Sequence, residues 1–149
     1  MNENKKTDDM KIETKAASYR KEADLTKTKV LLNKAKNRMQ RKKYDEALKL
    51  YTEASEIESD VPSIYAEMGF AKYHLGKEDA LSDIAKVLEM DSECEKAFLY
   101  RAYIRAETED ISGAQADLDK AFSINDKIKR DFTYSKVKMA IKRQQRKNK

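Results

Sequence analysis

The residues that could do chemistry are few, and they do not form a set. The chain has one histidine and one cysteine, His74 and Cys94, about twenty positions apart. A metal site needs more such ligands, and nucleophilic catalysis needs a partner base. No glycine-rich phosphate loop is present either. The sequence therefore predicts a protein that is not an enzyme and has no cofactor or metal.

Charge is the second candidate for function, because it is concentrated at one end. Residues 127–149 carry ten Lys or Arg and one acid, whereas residues 28–126 carry fifteen basic and twenty acidic residues. A basic amphipathic helix can bind nucleic acid or an anionic membrane surface. Five residues are the candidate contacts of such a basic tail: Lys138, Lys142, Arg143, Arg146 and Lys147.

Apolar periodicity predicts the elements that would carry these residues. Helical spacing indicates hairpins over about 28–58, 62–90 and 95–124, with Gly76 at a left-handed helix end. Pro62 is expected in the first turn of a helix. Residues 1–11 are predicted to be unstructured, and a helix from about Glu13 either stands alone or runs into the first hairpin.

The hairpins recur at a fixed period, which is the sequence signature of a repeat array. Ala114, Ala80 and Ala47 lie 34 and 33 positions apart, and each is followed by large apolar residues at matching positions. This order of small and large residues resembles the tetratricopeptide repeat (TPR). The resemblance covers about residues 28–128. It implies an all-α, right-handed TPR superhelix of three helix–turn–helix repeats.

The predicted organisation has three parts. Residues 1–27 form a polar, partly helical N-terminal segment. The repeats occupy 28–61, 62–94 and 95–128. Residues 129–149 form a basic C-terminal capping helix and tail, which would cover the last apolar face of the array. Its predicted apolar side is made of Ile128, Phe132, Val137, Ala140 and Ile141.

The TPR resemblance also implies where a ligand would bind, since the first helix of each repeat lines a concave groove in that family. Aromatic side chains on adjacent helices there would anchor a peptide. The predicted groove residues are Lys36, Met39, Glu67, Phe70, Tyr73, Lys96, Tyr100 and Tyr103.

Some TPR co-chaperones grip the C-terminal carboxylate of heat-shock chaperones with a set of Lys, Asn and Arg residues. Of the matching positions only Lys96 agrees, and Glu67 would repel a carboxylate. The sequence therefore argues against that ligand.

The function predicted from these observations is a protein-binding adaptor, co-chaperone-like, that holds a different peptide segment in the groove. The alternative is a nucleic-acid or membrane-surface binder acting through the basic tail. Self-association through an exposed face of the array is a third reading. One cysteine and no apolar leader predict a cytoplasmic protein.

Overall fold

The computed structural model describes residues 2–149, and Met1 lies outside them. These residues form seven α-helices and one short 3₁₀ helix, and no strand occurs among them. The helices are α1 (Asn2–Gln40), α2 (Tyr44–Ile57), α3 (Pro62–His74), α4 (Ala80–Met90), α5 (Glu95–Glu107), α6 (Ile111–Ile124) and α7 (Phe132–Lys147), with the 3₁₀ helix at Asp126–Arg130. The predicted all-α architecture of three helical hairpins followed by a C-terminal helix is confirmed.

Small residues hold the helices of each hairpin together. Ala47, Ala102, Ala114 and Ala121 are fully buried. A side chain of one carbon lets two helix backbones approach closely, and larger residues such as Leu118 fill the space around that contact. The most extensive contacts accordingly join α1 to α2, α3 to α4 and α5 to α6.

The turns between helices use left-handed backbone. Gly76 has φ +76°, as predicted, and nothing within 4 Å of where its Cβ would stand. Lys42 and Glu109 have φ 59° and 67°, although side chains disfavour that region. Pro62 begins α3, as expected. Lys77 to Asp79 lie in the turn, and α4 begins at Ala80.

The N-terminal helix differs most from the sequence prediction. Residues 2–11 were expected to be unstructured, and this is wrong, because α1 is one uninterrupted helix of 39 residues. The polar composition of this region suggested disorder. However, its Lys, Glu and Met residues are also good helix formers, and neither Gly nor Pro interrupts them. Thr28 is the first buried residue and Lys27 pairs with Glu53 of α2, so residues 2–26 extend beyond the array.

The last helix caps the array, as predicted. Val137, Ala140 and Ile141 are buried in the core that α5 and α6 share, and Ile128 of the 3₁₀ helix joins them. Phe132 was placed on this apolar side incorrectly, since 65% of it is exposed. It is the first residue of α7 and points away from the core that the later turns bury.

Candidate functional site

A cavity of about 220 Å³ lies where α1, α3 and α5 meet the start of α7. We call it the groove. Its lining residues are Lys36, Met39, Gln40, Lys42, Tyr44, Tyr51, Glu67, Phe70, His74, Lys96, Tyr100, Arg130, Asp131, Phe132, Thr133 and Lys136. The first helix of each repeat contributes to the lining, and so does the segment that enters the capping helix.

The structure brings most of the predicted groove residues to this cavity. Six of the eight line it: Lys36, Met39, Glu67, Phe70, Lys96 and Tyr100. The other two, Tyr73 and Tyr103, pack against its aromatic wall. Whether these residues bind a ligand stays a prediction.

Stacked rings form one wall of the groove. Phe70 and Tyr100 stack with ring centres 4.2 Å apart, and Tyr103 meets the Phe70 ring edge-on at 5.1 Å. Tyr44 stacks on His74 at 4.4 Å. Phe70 and Tyr100 are buried, whereas Tyr44, His74 and Tyr103 keep part of their surface open. The buried rings hold the wall in place, and the partly exposed rings offer an accessible surface, which suits an apolar ligand group.

His74 is held inside this wall as a neutral ring. Burial, and after it the positive charge of Lys136, together lower its pKa to about 4. A neutral imidazole lets the ring stack as an aromatic group. His74 therefore serves as part of the apolar wall at neutral pH.

A chain of charged groups crosses the groove behind the rings. The Tyr51 hydroxyl donates to Glu67 Oε2 at 3.2 Å, and Glu67 lies 3.9 Å from Lys96 Nζ. Lys96 Nζ also contacts Asp131 Oδ2 at 2.5 Å. Asp131 caps the N-terminus of α7, where its side chain accepts a hydrogen bond from the Thr133 amide at 2.9 Å. The capping helix is thus tied to α5 through Lys96.

The pKa values of these groups follow from burial and pairing. Burial raises the pKa of Glu67, and the nearby Lys96 offsets this only in part. Burial alone would lower the pKa of Lys96, but the Glu67 and Asp131 carboxylates outweigh it and raise it. Burial alone would raise the pKa of Asp131, but the bond and charge of Lys96 lower it. Lys96 is therefore firmly protonated between two acids.

Basic residues surround the opening. The lining contains five basic residues, Lys36, Lys42, Lys96, Arg130 and Lys136, and two acids, Glu67 and Asp131. Four of the basic residues are exposed, and only Lys96 is engaged inside. The mouth therefore has a positive field, although the repeats are acidic overall.

Some lining residues were not predicted as groove residues. Tyr44, Tyr51 and His74 line the groove although none of them is among the predicted groove residues. Asp131 and Lys136 were assigned to the cap. Asp131 is the single acid in a basic segment of 23 residues, and this was the only sequence signal for a specific partner.

The candidate basic tail lies apart from the groove. Lys138, Lys142, Arg143, Arg146 and Lys147 are all exposed on α7. Met139 lies beside them and is 62% exposed.

Cys94 is buried, and burial raises the pKa of its thiol. Within residues 2–149 no group of acidic, His or Cys side chains is arranged to hold a metal ion. None of the described helices is long and apolar enough to cross a membrane.

Comparison with known proteins agrees with this architecture. The sequence signature of the TPR repeat matches residues 36–76, from the last turn of α1 to the turn after α3. Together with the solved structures below, it shows that the chain has the tetratricopeptide-repeat fold. No curated protein matches it at a significant level.

Solved TPR domains superpose on most of the chain. The first TPR domain of Spaghetti (RPAP3), bound to the HSP90 peptide SRMEEVD, is 22% identical with a TM-score of 0.56, covering 79% of this chain and 92% of that one. The Sgt2 TPR domain of Aspergillus fumigatus is 23% identical with a TM-score of 0.58, over 80% and 78%. The TPR2B domain of yeast Sti1, in a complex with pHsp70, is 17% identical with a TM-score of 0.59, over 82% and 98%.

Proposed function

We propose that this protein is a non-catalytic interaction module that binds a peptide segment of another protein in the groove. The observation that carries the proposal is the wall of stacked rings beside a cavity that opens to solvent. Rings held in place by packing offer contact area with little loss of side-chain freedom on binding. The TPR fold supports this reading, since two of the similar structures contain chaperone-derived partners.

The charges of the groove define the class of peptide. Four exposed basic residues at the mouth favour an acidic segment, and the rings behind them favour one apolar or aromatic side chain within it. We do not propose that a chaperone carboxylate binds at Lys96 in the manner of the clamp. Lys96 already lies between Glu67 and Asp131. Asn33 and Asn37, the asparagines one residue away from the clamp positions in α1, are exposed and lie outside the lining.

The test uses charge reversal at exposed lining residues, because these changes leave the core intact. Tyr100→Ala would be a poor choice, since Tyr100 is only 4% exposed and its loss would affect folding. The groove variant is Lys36→Glu with Lys136→Glu. The matched control is Lys86→Glu with Lys127→Glu, which makes the same charge change outside the lining.

Peptides would be selected from a random displayed library on the immobilised wild-type protein. Their affinities would then be measured by fluorescence anisotropy at physiological salt. We expect acidic peptides with an aromatic or large aliphatic residue, bound about tenfold or more weakly by the groove variant and normally by the control. Peptides that bind both variants as well as wild type would overturn the proposal. Circular dichroism would confirm that each variant is folded.

The alternative function is binding of nucleic acid or an anionic membrane surface through the basic tail. The exposure of all five candidate residues, with Met139 beside them, favours it. The test variant is Lys142→Glu with Arg143→Glu and Arg146→Glu, measured with single-stranded RNA and with vesicles containing anionic lipid. Binding through the tail should fall steeply as salt rises, whereas peptide binding to the rings should change less.

A co-chaperone-like adaptor role in the cytoplasm stays a prediction.

A further inference from the structure

The part of α1 that precedes the repeats, residues 2–27, contains no buried residue, and Lys27 at its end pairs with Glu53 of α2 at 3.8 Å. Residues 2–27 extend for about 39 Å at 1.5 Å per residue, and the first buried residue is Thr28. Most of the stability of helices in proteins comes from packing one face against a neighbour. This segment therefore has a side available for another molecule.

One side of this segment carries a narrow apolar stripe. Ile12, Ala16, Tyr19 and Ala23 follow each other at intervals of four, three and four residues. At 100° per residue they lie within about 40° of one line along the helix. Alternating steps of four and three are the seam pattern of a two-stranded coiled coil. Ile12 and Tyr19 are 66% and 61% exposed, so the seam is uncovered.

The stripe continues onto the repeat without entering the core. Val30 lies on the same line and is 47% exposed. Leu31 and Ala35, which bury against α2, lie about 100° and 140° around the helix. A second helix can therefore lie along the stripe without meeting α2.

The charges beside the stripe identify the partner as a second copy in antiparallel orientation. If Ala16 faces Tyr19 of the partner, Ile12 faces Ala23 of the partner, and these four central layers are apolar in both directions. Further out the seam is mixed, because Asp9 faces Thr26 and Lys5 faces Val30. One flank then pairs Glu13 with Arg20 of the partner. The other flank pairs Lys15 with Glu22 of the partner.

Twofold symmetry forms each of these pairs twice, and further out Asp8 meets Lys29 of the partner. The only like-charged flank pair in this register is Lys6 with Lys27, and Lys27 lies 3.8 Å from Glu53 of its own chain. The two repeat arrays would stand at opposite ends of the shared helix pair. We infer that residues 5–30 of α1 form an antiparallel two-stranded coiled coil with a second copy of this chain.

The test is the association state of the full chain by sedimentation equilibrium over a wide range of protein concentration. We expect a monomer–dimer equilibrium for wild type. Arg20→Glu should raise the dissociation constant by about tenfold or more, because symmetry turns two attractive pairs into two repulsive ones. Adding Glu13→Arg should restore wild-type association.

The matched control is Lys21→Glu, which makes the same charge change on the side of the helix about 180° from the stripe. Its dissociation constant should equal that of wild type. A wild-type protein that stays monomeric at every concentration would overturn the inference. So would an Arg20→Glu dissociation constant equal to that of the Lys21→Glu control.

Orientation is tested separately by cysteine cross-linking. Ile12→Cys protein mixed with Ala23→Cys protein should form a disulfide between the two kinds of chain, because these positions face each other only in the antiparallel register. Neither protein alone should cross-link to itself at a comparable rate. Efficient self-cross-linking of each variant would indicate a parallel dimer and overturn the antiparallel assignment.

Discussion

Replacing Asp117 by alanine should strongly destabilise the third hairpin. The Asp117 side chain is 5% exposed and accepts three hydrogen bonds across the contact between α5 and α6. Arg101 donates to both carboxylate oxygens at 2.9 Å, and Arg105 donates to Oδ2 at 2.8 Å. In Asp117→Ala both guanidinium groups lose their shared acceptor.

The loss of stability in Asp117→Ala depends on how much hydration the guanidinium groups of Arg101 and Arg105 can regain. Removing one partner of a fully buried ion pair costs about 3–5 kcal/mol. Here the side chains of Arg101 and Arg105 are 22% and 32% exposed, so each can regain part of its hydration. We therefore expect a loss of about 2–3 kcal/mol. For a domain of this size that corresponds to a fall in Tm of roughly 5–10 °C.

The assay is urea unfolding followed by far-UV circular dichroism, with Asp119→Ala as the control. Asp119 is two residues away on α6, is exposed, and accepts one bond from Gln115 of the same helix at 2.9 Å. Its replacement should cost no more than about 0.5 kcal/mol. Asp117→Asn keeps one acceptor oxygen and should fall between the two. If Asp117→Ala is no less stable than Asp119→Ala, the reasoning from burial and bond number is wrong.

Three further predictions concern stability. Since the folded-state pKa of His74 is about 4, protonation opposes folding, and stability due to this ring is lost as pH falls from about 6.5 towards 4. His74 is partly exposed to solvent, which screens the effect, so the loss should be about 1–2 kcal/mol. His74→Gln should reduce the pH dependence of the urea unfolding midpoint between pH 7 and 5, and an unchanged dependence would contradict the assignment. Gly76→Ala should lower the free energy of unfolding by about 1 kcal/mol, because a side chain disfavours the positive φ at this position. Glu109→Gly removes the same kind of backbone strain and should stabilise the fold. If the Tm values of both variants shift in the same direction in thermal melts, the argument is wrong. Leu118→Ala should lower the free energy of unfolding by about 2–5 kcal/mol in chemical unfolding, because it leaves a cavity where a side chain that is 2% exposed was packed. A change below about 1 kcal/mol would contradict this and would mean that neighbouring side chains fill the cavity.

The repeat array could be predicted because the residue pattern that defines each hairpin lies within a short stretch of sequence. Each hairpin repeats small and large residues at fixed spacing, so Ala47, Ala80 and Ala114 revealed the period without knowledge of distant contacts. Gly76 and Pro62 marked helix ends through backbone chemistry that does not depend on the rest of the fold. The resemblance to TPR proteins, and not the periodicity, implied that the first helix of each repeat would face a groove.

What the sequence did not reveal depends on contacts between distant residues. Asp131 reaches Lys96 across 35 positions, and no periodic pattern encodes that pairing. Phe132 has the apolar character of a core residue, but its place at the start of α7 turns it towards the groove mouth. Residues 2–11 were misjudged because charged composition is compatible both with disorder and with a solvated helix, and propensity alone did not decide between them.

The position of Lys96 determines how the groove can recognise charge. An incoming carboxylate that used Lys96 would share its ammonium group with Asp131, which also caps α7, and would come close to Glu67. That competition would weaken the attachment of the capping helix and would bring three carboxylates around one cation. The exposed basic residues at the mouth carry no such penalty. An acidic ligand should therefore place its carboxylates at the rim and an apolar side chain against the rings, with Lys96 remaining a structural tie between α5 and α7.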